Sequence, residues 1–161
     1  MKKNPKLFYI AMALFSVLII ALDQWTKWLT VKSIPLGETR WGISGIFYLT
    51  HVENTGGAWG IFGGSTWLFV VVLVLFVGVL GFLIYKKWLT KKFEFVCLAG
   101  ILGGGIGNLI DRLATGRVTD MIAFDFMKFP VFNVADCFIT VGCFALIVYV
   151  LFFDRSKSKQ E

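Results

Sequence analysis

The chain has 161 residues, the length of one domain. It is 57% hydrophobic, 17% aromatic and only 16% charged, with a mean hydropathy of +0.77, which is the composition of a membrane protein and excludes an ordinary soluble domain. The net charge of +6 admits nucleic acid or an anionic surface as a partner, so the placement of the charges has to decide.

The first apolar run, from Leu7 to Leu22, is uncharged between Lys6 and Asp23 and follows Lys2, Lys3 and Lys6. A basic start and an apolar middle are shared with signal peptides. No small-x-small cleavage site follows, and DQWTKW continues the helical pattern, so the run reads as a retained membrane helix over residues 7–28. Asp23 and Lys27 are four apart and share a face, acid before base. Trp25 and Trp28 suit a membrane–water interface.

Residues 35–64 change character. Gly and Thr become frequent, and Ile46, Tyr48 and Thr50 alternate with Phe47 and Leu49. One or two short strands with glycine turns are expected there, lying on the membrane surface. His51, the single histidine, has no partner pattern around it and reads as a strand residue rather than a catalyst. Asn54 opens NTGGAWG, for which a plain turn and a functional loop both fit.

Residues 66–85 carry no charge and match the hydrocarbon thickness. Lys86, Lys87, Lys91 and Lys92 follow in a short loop. A third helix is expected over 93–112, where GILGGGIG lets neighbouring helices approach closely. A fourth is expected over 132–153, with Asp136 near its start and the basic residues Arg155, Lys157 and Lys159 behind it. Cys97, Cys137 and Cys143 lie in apolar runs without metal or disulfide spacing and read as small hydrophobes. The expected fold is an all-α membrane protein in one domain, residues 1–161. It has four transmembrane helices, a small extracytoplasmic β segment, and an outer loop or short helix between helices three and four.

Charge placement sets the orientation. With both termini and the Lys86–Lys92 loop on one side, that side holds ten basic residues against six. By the positive-inside rule both termini are cytoplasmic. Topology thus accounts for the excess charge, and nucleic-acid binding loses its support. The same orientation brings the polar groups of helices one, three and four, with Asp120 from the loop between helices three and four, to the outer membrane surface.

The densest polar stretch runs from Gly103 to Asp136 and includes Asn108, Asp111, Arg112, Asp120, Asp125, Asn133 and Asp136. Ionisable groups against membrane sequence are costly and point to function; the plainer alternative is helix capping. Asn108, Asp111 and Arg112 share a helix face at i, i+3, i+4, and Asn133 and Asp136 stand at i, i+3. Carboxylates facing a common space favour acid–base chemistry, because two close together cannot both ionise cheaply. HExxH is absent, and Asp and Asn alone make no dense metal set. A transporter would place charge at mid-bilayer, where these helices have none, and a purely structural role leaves the Asn–Asp–Arg grouping unexplained.

Five ordered motifs carry a resemblance: DQWTK at Asp23–Lys27, NTGGAWG at Asn54–Gly60, GGGIGNLIDR at Gly103–Arg112, GRVTD at Gly116–Asp120 and FNVAD at Phe132–Asp136. In them the chain resembles, over nearly its whole length, the lipoprotein signal peptidases (signal peptidase II), bacterial aspartyl membrane proteases. The resemblance implies that Asp120 and Asp136 form the catalytic pair. It implies that Asn54, Asn108, Arg112 and Asn133 bind substrate or orient the pair, and that Asp23, Lys27 and Asp111 support them. The implied substrate is a prolipoprotein whose cysteine already carries diacylglycerol, cut just before that cysteine. No cofactor or metal is implied. The expected partners are that lipid-modified substrate and membrane lipids, with no nucleic acid, and the chain is expected to act as a monomer in the bacterial cytoplasmic membrane.

Overall fold

The computed structural model describes residues 5–57 and 61–153. Lys2 and Lys3, the basic tail with Arg155, Lys157 and Lys159, and Ala58, Trp59 and Gly60 of the glycine-rich loop lie outside the described residues. The elements in order are α1 (Pro5–Ser33), β1 (Thr39–Ile43), β2 (Phe47–Asn54), α2 (Thr66–Tyr85), α3 (Lys92–Thr115), β3 (Val118–Phe124) and α4 (Val134–Phe152). All four helices are long and apolar enough to cross a membrane.

Helix α3 is the axis of the bundle, packed between α1 and α4. Its glycines make this possible. A Cβ on Gly104 would stand 2.5 Å from the carbonyl oxygen of Ala135, and one on Gly107 would stand 2.6 Å from Oδ2 of Asp23. With hydrogen there instead, the backbones close to a distance that larger residues forbid. Ser16 adds a hydrogen bond, its hydroxyl donating to the Ala99 carbonyl at 2.8 Å. Helix α2 packs mainly on α3 and has no buried residue; its uniformly apolar surface suits lipid on nearly every side.

Helix α1 runs beyond the expected residue 28 to Ser33, because nothing in TKWLTVKS breaks a helix before Pro35. Helix α3 likewise continues past Arg112 to Thr115. It stops at Gly116, whose φ of +76° is left-handed and whose N–H returns to the Arg112 carbonyl.

One expectation needs correcting. The segment between α3 and α4 opens with a strand rather than an outer loop or short helix, and Asp120 sits on it. The fold is therefore mostly helical with a three-stranded antiparallel sheet, ordered β1-β2-β3. Without β3, strand β2 would leave a row of unpaired backbone groups along one edge, which is a liability. Val118, Met121 and Ala123 are buried, and Phe132 closes the far edge by bridging to Ile122.

Candidate active site

The sheet and helix ends bring together groups from five elements. Asp23, Gln24 and Lys27 come from α1, Asn54 from the end of β2, and Asn108, Asp111 and Arg112 from α3. Asp120 comes from β3, and Asn133 and Asp136 from the start of α4. Pairing of Val52 with Asp120 and of Asn54 with Val118 sets Asp120 beside the end of β2. Asn133 is the N-cap of α4: its side-chain oxygen accepts from the Asp136 N–H at 3.0 Å. Asp136 answers with Oδ2, accepting from the Asn133 N–H at 3.2 Å, so the two form a capping box.

Asp120 and Asp136 line one cavity of about 420 Å³, whose remaining wall is largely apolar, with Phe129, Phe132 and Val141 among its members. Asp120 is buried. Its Oδ1 accepts from Nδ2 of Asn133 at 2.6 Å and its Oδ2 from Nδ2 of Asn54 at 3.0 Å. Asp136 is half-buried, and its Oδ1 accepts from Nδ2 of Asn108 at 2.7 Å. Burial, and then the neighbouring Asp136 charge, push the Asp120 carboxyl up to about 6, against the opposing pull of the Asn54 and Asn133 amides. Two carboxyls on one cavity, one of them keeping its proton to about pH 6, can activate a water and supply a proton.

Behind this pair lies a second layer that does not line the cavity. Lys27 Nζ meets Oδ2 of Asp23 at 2.7 Å and Oδ2 of Asp111 at 2.9 Å, and it donates to Oδ1 of Asn108 at 2.9 Å. Asp23 is fully buried and reaches α4, its Oδ1 accepting from the Ala135 N–H at 3.0 Å. A buried cation with two carboxylates and an amide oxygen has all three N–H donors used, the condition under which such a group is tolerated.

Arg112 forms the wall between this cavity and a second one of about 320 Å³ under α2. It donates to the Gly56 carbonyl at 2.7 Å and to the Asn108 carbonyl at 3.2 Å, and its guanidinium lies 3.8 Å over the Phe69 ring. Among the described residues its buried Nε has no hydrogen-bond partner.

All nine residues singled out in the sequence meet in this region, but they divide by role. Asn54, Asn108, Arg112, Asp120 and Asp136 line the cavity, Asn133 sits buried behind the two carboxyls, and Asp23, Lys27 and Asp111 form the back layer. The expected common face of Asn108, Asp111 and Arg112 is split: Asp111 turns to Lys27 and Gln24. Sequence reasoning missed Gln24, which donates to Asp111 at 2.8 Å and to the Gly107 carbonyl at 3.1 Å. Its place in DQWTK next to Asp23 was the available signal. It also missed Phe69, which nothing distinguishes from the other apolar residues of α2. His51 is a buried strand residue, with Nδ1 donating to the Ile34 carbonyl at 2.8 Å. Asp125 is exposed and accepts from the Gly45 N–H at 2.7 Å, pinning the β1–β2 turn. Cys137 lines the cavity as a free thiol. Among the described residues, no group of His, Cys, Asp and Glu has the arrangement of a metal site.

Comparison with known proteins follows the same outline. The family model described as signal peptidase (SPase) II matches residues 15–152. The lipoprotein signal peptidase of Enterococcus faecalis is 42% identical over 147 residues, covering 91% of this chain and 91% of its own. That of Geobacillus thermodenitrificans is 42% identical over 152 residues, covering 92% and 94%. A solved bacterial membrane enzyme, obtained by the in meso method at 2.3 Å, superposes with a TM-score of 0.84 at 29% identity, covering 94% of this chain and 93% of that one. A second, at 1.9 Å, gives 0.78 at 30% identity, covering 89% and 94%.

Proposed function

The chain belongs to the signal peptidase II family and removes signal peptides from prolipoproteins, and we propose that it does so as an aspartic endopeptidase with Asp120 and Asp136 as its catalytic pair. The observation that carries this reading is that Asn133 holds both carboxyls at one cavity, Asp120 through its side-chain amide and Asp136 through its backbone N–H.

The mechanism follows from the partners of each oxygen. Asp136 accepts two N–H groups at the N-terminus of α4, where the helix dipole favours a carboxylate. It takes a proton from the attacking water. Asp120, buried and carrying the shared proton, donates toward the peptide carbonyl oxygen as the tetrahedral intermediate forms. The two apparent titrations belong to the pair. Arg112 and Asn54 hold the Gly56–Gly57 turn at the cavity mouth, where the backbone of an unwound substrate needs polar partners. No cofactor enters this scheme, and every group comes from one chain, as a monomer requires.

The substrate is a precursor whose cysteine carries diacylglycerol, with cleavage just before that cysteine. The apolar wall around Phe129, Phe132 and Val141 supports an acyl-bearing ligand. The protein is a multi-pass bacterial membrane protein with four apolar helices. The excess of basic residues on the side of the termini supports cytoplasmic ends and a site at the outer surface. External labelling of a cysteine introduced at Ser156 would reverse that orientation.

The deciding experiment incubates the purified protein with a diacylglyceryl prolipoprotein and follows signal-peptide release by gel shift. Asp120→Asn and Asp136→Asn should insert and bind substrate but not cut it. Cleavage at near wild-type rate by either variant would take that carboxyl out of the chemistry.

A further inference from the structure

The amides of the site have orientations that follow from their neighbours. Asn54 Oδ1 accepts from the Gly56 N–H at 2.9 Å, so its NH₂ faces Asp120. Asn133 Oδ1 accepts from the Asp136 N–H, so its NH₂ faces Asp120 and Asn108. In both cases a backbone donor removes the ambiguity between oxygen and nitrogen. Among the described residues Asn108 has no backbone donor on its side-chain oxygen. Its Oδ1 faces the ammonium of Lys27 at 2.9 Å and Nδ2 of Asn133 at 3.0 Å. Lysine has donors only, so the atom turned to it must be an acceptor.

We propose that Lys27 is a positioning residue of the cleavage reaction: by holding the side-chain oxygen of Asn108 it aims the Asn108 NH₂ at Asp136 and keeps that carboxylate ready to accept a proton from water. The inference rests on Asp136 acting in the reaction as read above.

The magnitudes favour Lys27 over Asn133 in this role. A charged donor on an amide oxygen makes about twice as strong a bond as a neutral one and polarises the N–H groups on the other end. Asn133 Nδ2 is also shared with Asp120 at the shorter distance of 2.6 Å. Lys27 is itself buried and tied to Asp23 and Asp111. With Lys27 neutralised, Asn108 is left with one shared neutral donor and rotates more freely, at times turning its oxygen to Asp136. The charged groups around Asp136 are Lys27 and Asp23 from α1, Asp111 and Arg112 from α3 and Asp120 from β3. Strand β2 contributes the neutral Asn54, α2 no charge among its described residues, and α4 itself the Cys137 thiol.

The test is a double-mutant cycle read by kcat and KM separately. Lys27→Gln should lower kcat about tenfold with KM nearly unchanged, the size expected for one hydrogen bond to a charged group. Lys27→Arg keeps a cation with N–H donors and should return kcat towards the wild-type value. In an Asn108→Ala background, Lys27→Gln should add little to the loss, because the amide it acts through is gone. Full additivity there would overturn the proposal and leave Lys27 a purely structural ion-pair partner. An unchanged kcat in the single variant would do the same. Should Lys27→Gln fail to fold, adding Asp23→Asn neutralises one of the two carboxylates left without their cation while keeping an acceptor for Ala135, and the same loss of kcat is expected. Asp136→Asn separates the two levels. Activity in that variant sinks the underlying reading, whereas an inactive Asp136→Asn beside an unaffected Lys27→Gln sinks only the role of Lys27.

Discussion

Asn133 sets its side-chain amide nitrogen 2.6 Å from Oδ1 of Asp120, while its side-chain oxygen caps helix α4. One side chain thus starts a helix and orients a carboxyl on a strand from another part of the chain. Asn133→Ser separates these tasks, because serine still caps but has no amide to offer Asp120 and Asn108. The variant is expected to keep its helix content, lose roughly 1–3 kcal/mol of stability from the unsatisfied neighbours, and cleave at least tenfold more slowly. Circular dichroism, thermal unfolding and the gel-shift assay check this together. A folded variant with wild-type cleavage would reduce Asn133 to a cap.

Asp120 makes the protein's stability and activity pH-dependent. Its carboxyl is held to about 6 by burial, against about 4 for an unfolded aspartate. Between these values the folded state binds more protons than the unfolded chain, so stability falls as pH rises through about 4 to 6 and then levels. Asp120→Asn should flatten that slope. In the wild type, kcat/KM should decline on the alkaline side as the shared proton is lost. A stability profile that rises between pH 4 and 6 in wild type relative to Asp120→Asn would contradict the assignment.

Gly107 faces the fully buried Asp23, and an added Cβ would stand 2.6 Å from its Oδ2. That oxygen is the one paired with Lys27. Gly107→Ala should therefore cost about 1–3 kcal/mol from overpacking and disturb the back layer, lowering kcat more than the apparent substrate affinity. Gly78 on α2 is the control, since a Cβ there meets nothing within 4 Å; Gly78→Ala should leave both quantities unchanged. Equal effects of the two substitutions on thermal unfolding and cleavage would remove the packing argument.

Arg112 holds the Gly56 carbonyl, the Asn108 carbonyl and the Phe69 ring at once. A lysine ammonium keeps the charge but cannot span these three contacts, because it lacks the planar fork. Arg112→Lys should slow cleavage about tenfold or more, which steady-state kinetics would register. Wild-type kinetics would return Arg112 to the role of a helix-end anchor.

Asp125 provides the negative control among the carboxylates. It is exposed and accepts one backbone N–H at the β1–β2 turn, and an asparagine keeps a side-chain oxygen for that bond. Asp125→Asn should cleave at the wild-type rate. An inactive but folded Asp125→Asn would mean that the β1–β2 turn takes part in the reaction.

What the sequence determined by itself was local. Long uncharged runs specified four helices, because hydrophobic length is measured along a continuous segment. Glycines at 103–107 marked the closest helix contacts, and the DQWTK, NLIDR and FNVAD motifs carried polar groups whose burial beside membrane helices needs a reason. Pairing partners distant in the chain were decided only in three dimensions. Strand β3 forms because β2 presents it an edge, and its own alternation is too interrupted by Asp120 and Met121 to announce it. Asp111 leaves the face it shares with Asn108 and Arg112 because Lys27 and Gln24 of α1 supply better partners. The direction of each asparagine amide depends on which neighbour can only donate, and those neighbours lie on other elements. Spacing along one helix fixes which residues can share a side, but the groups packed against that side decide which way each one turns.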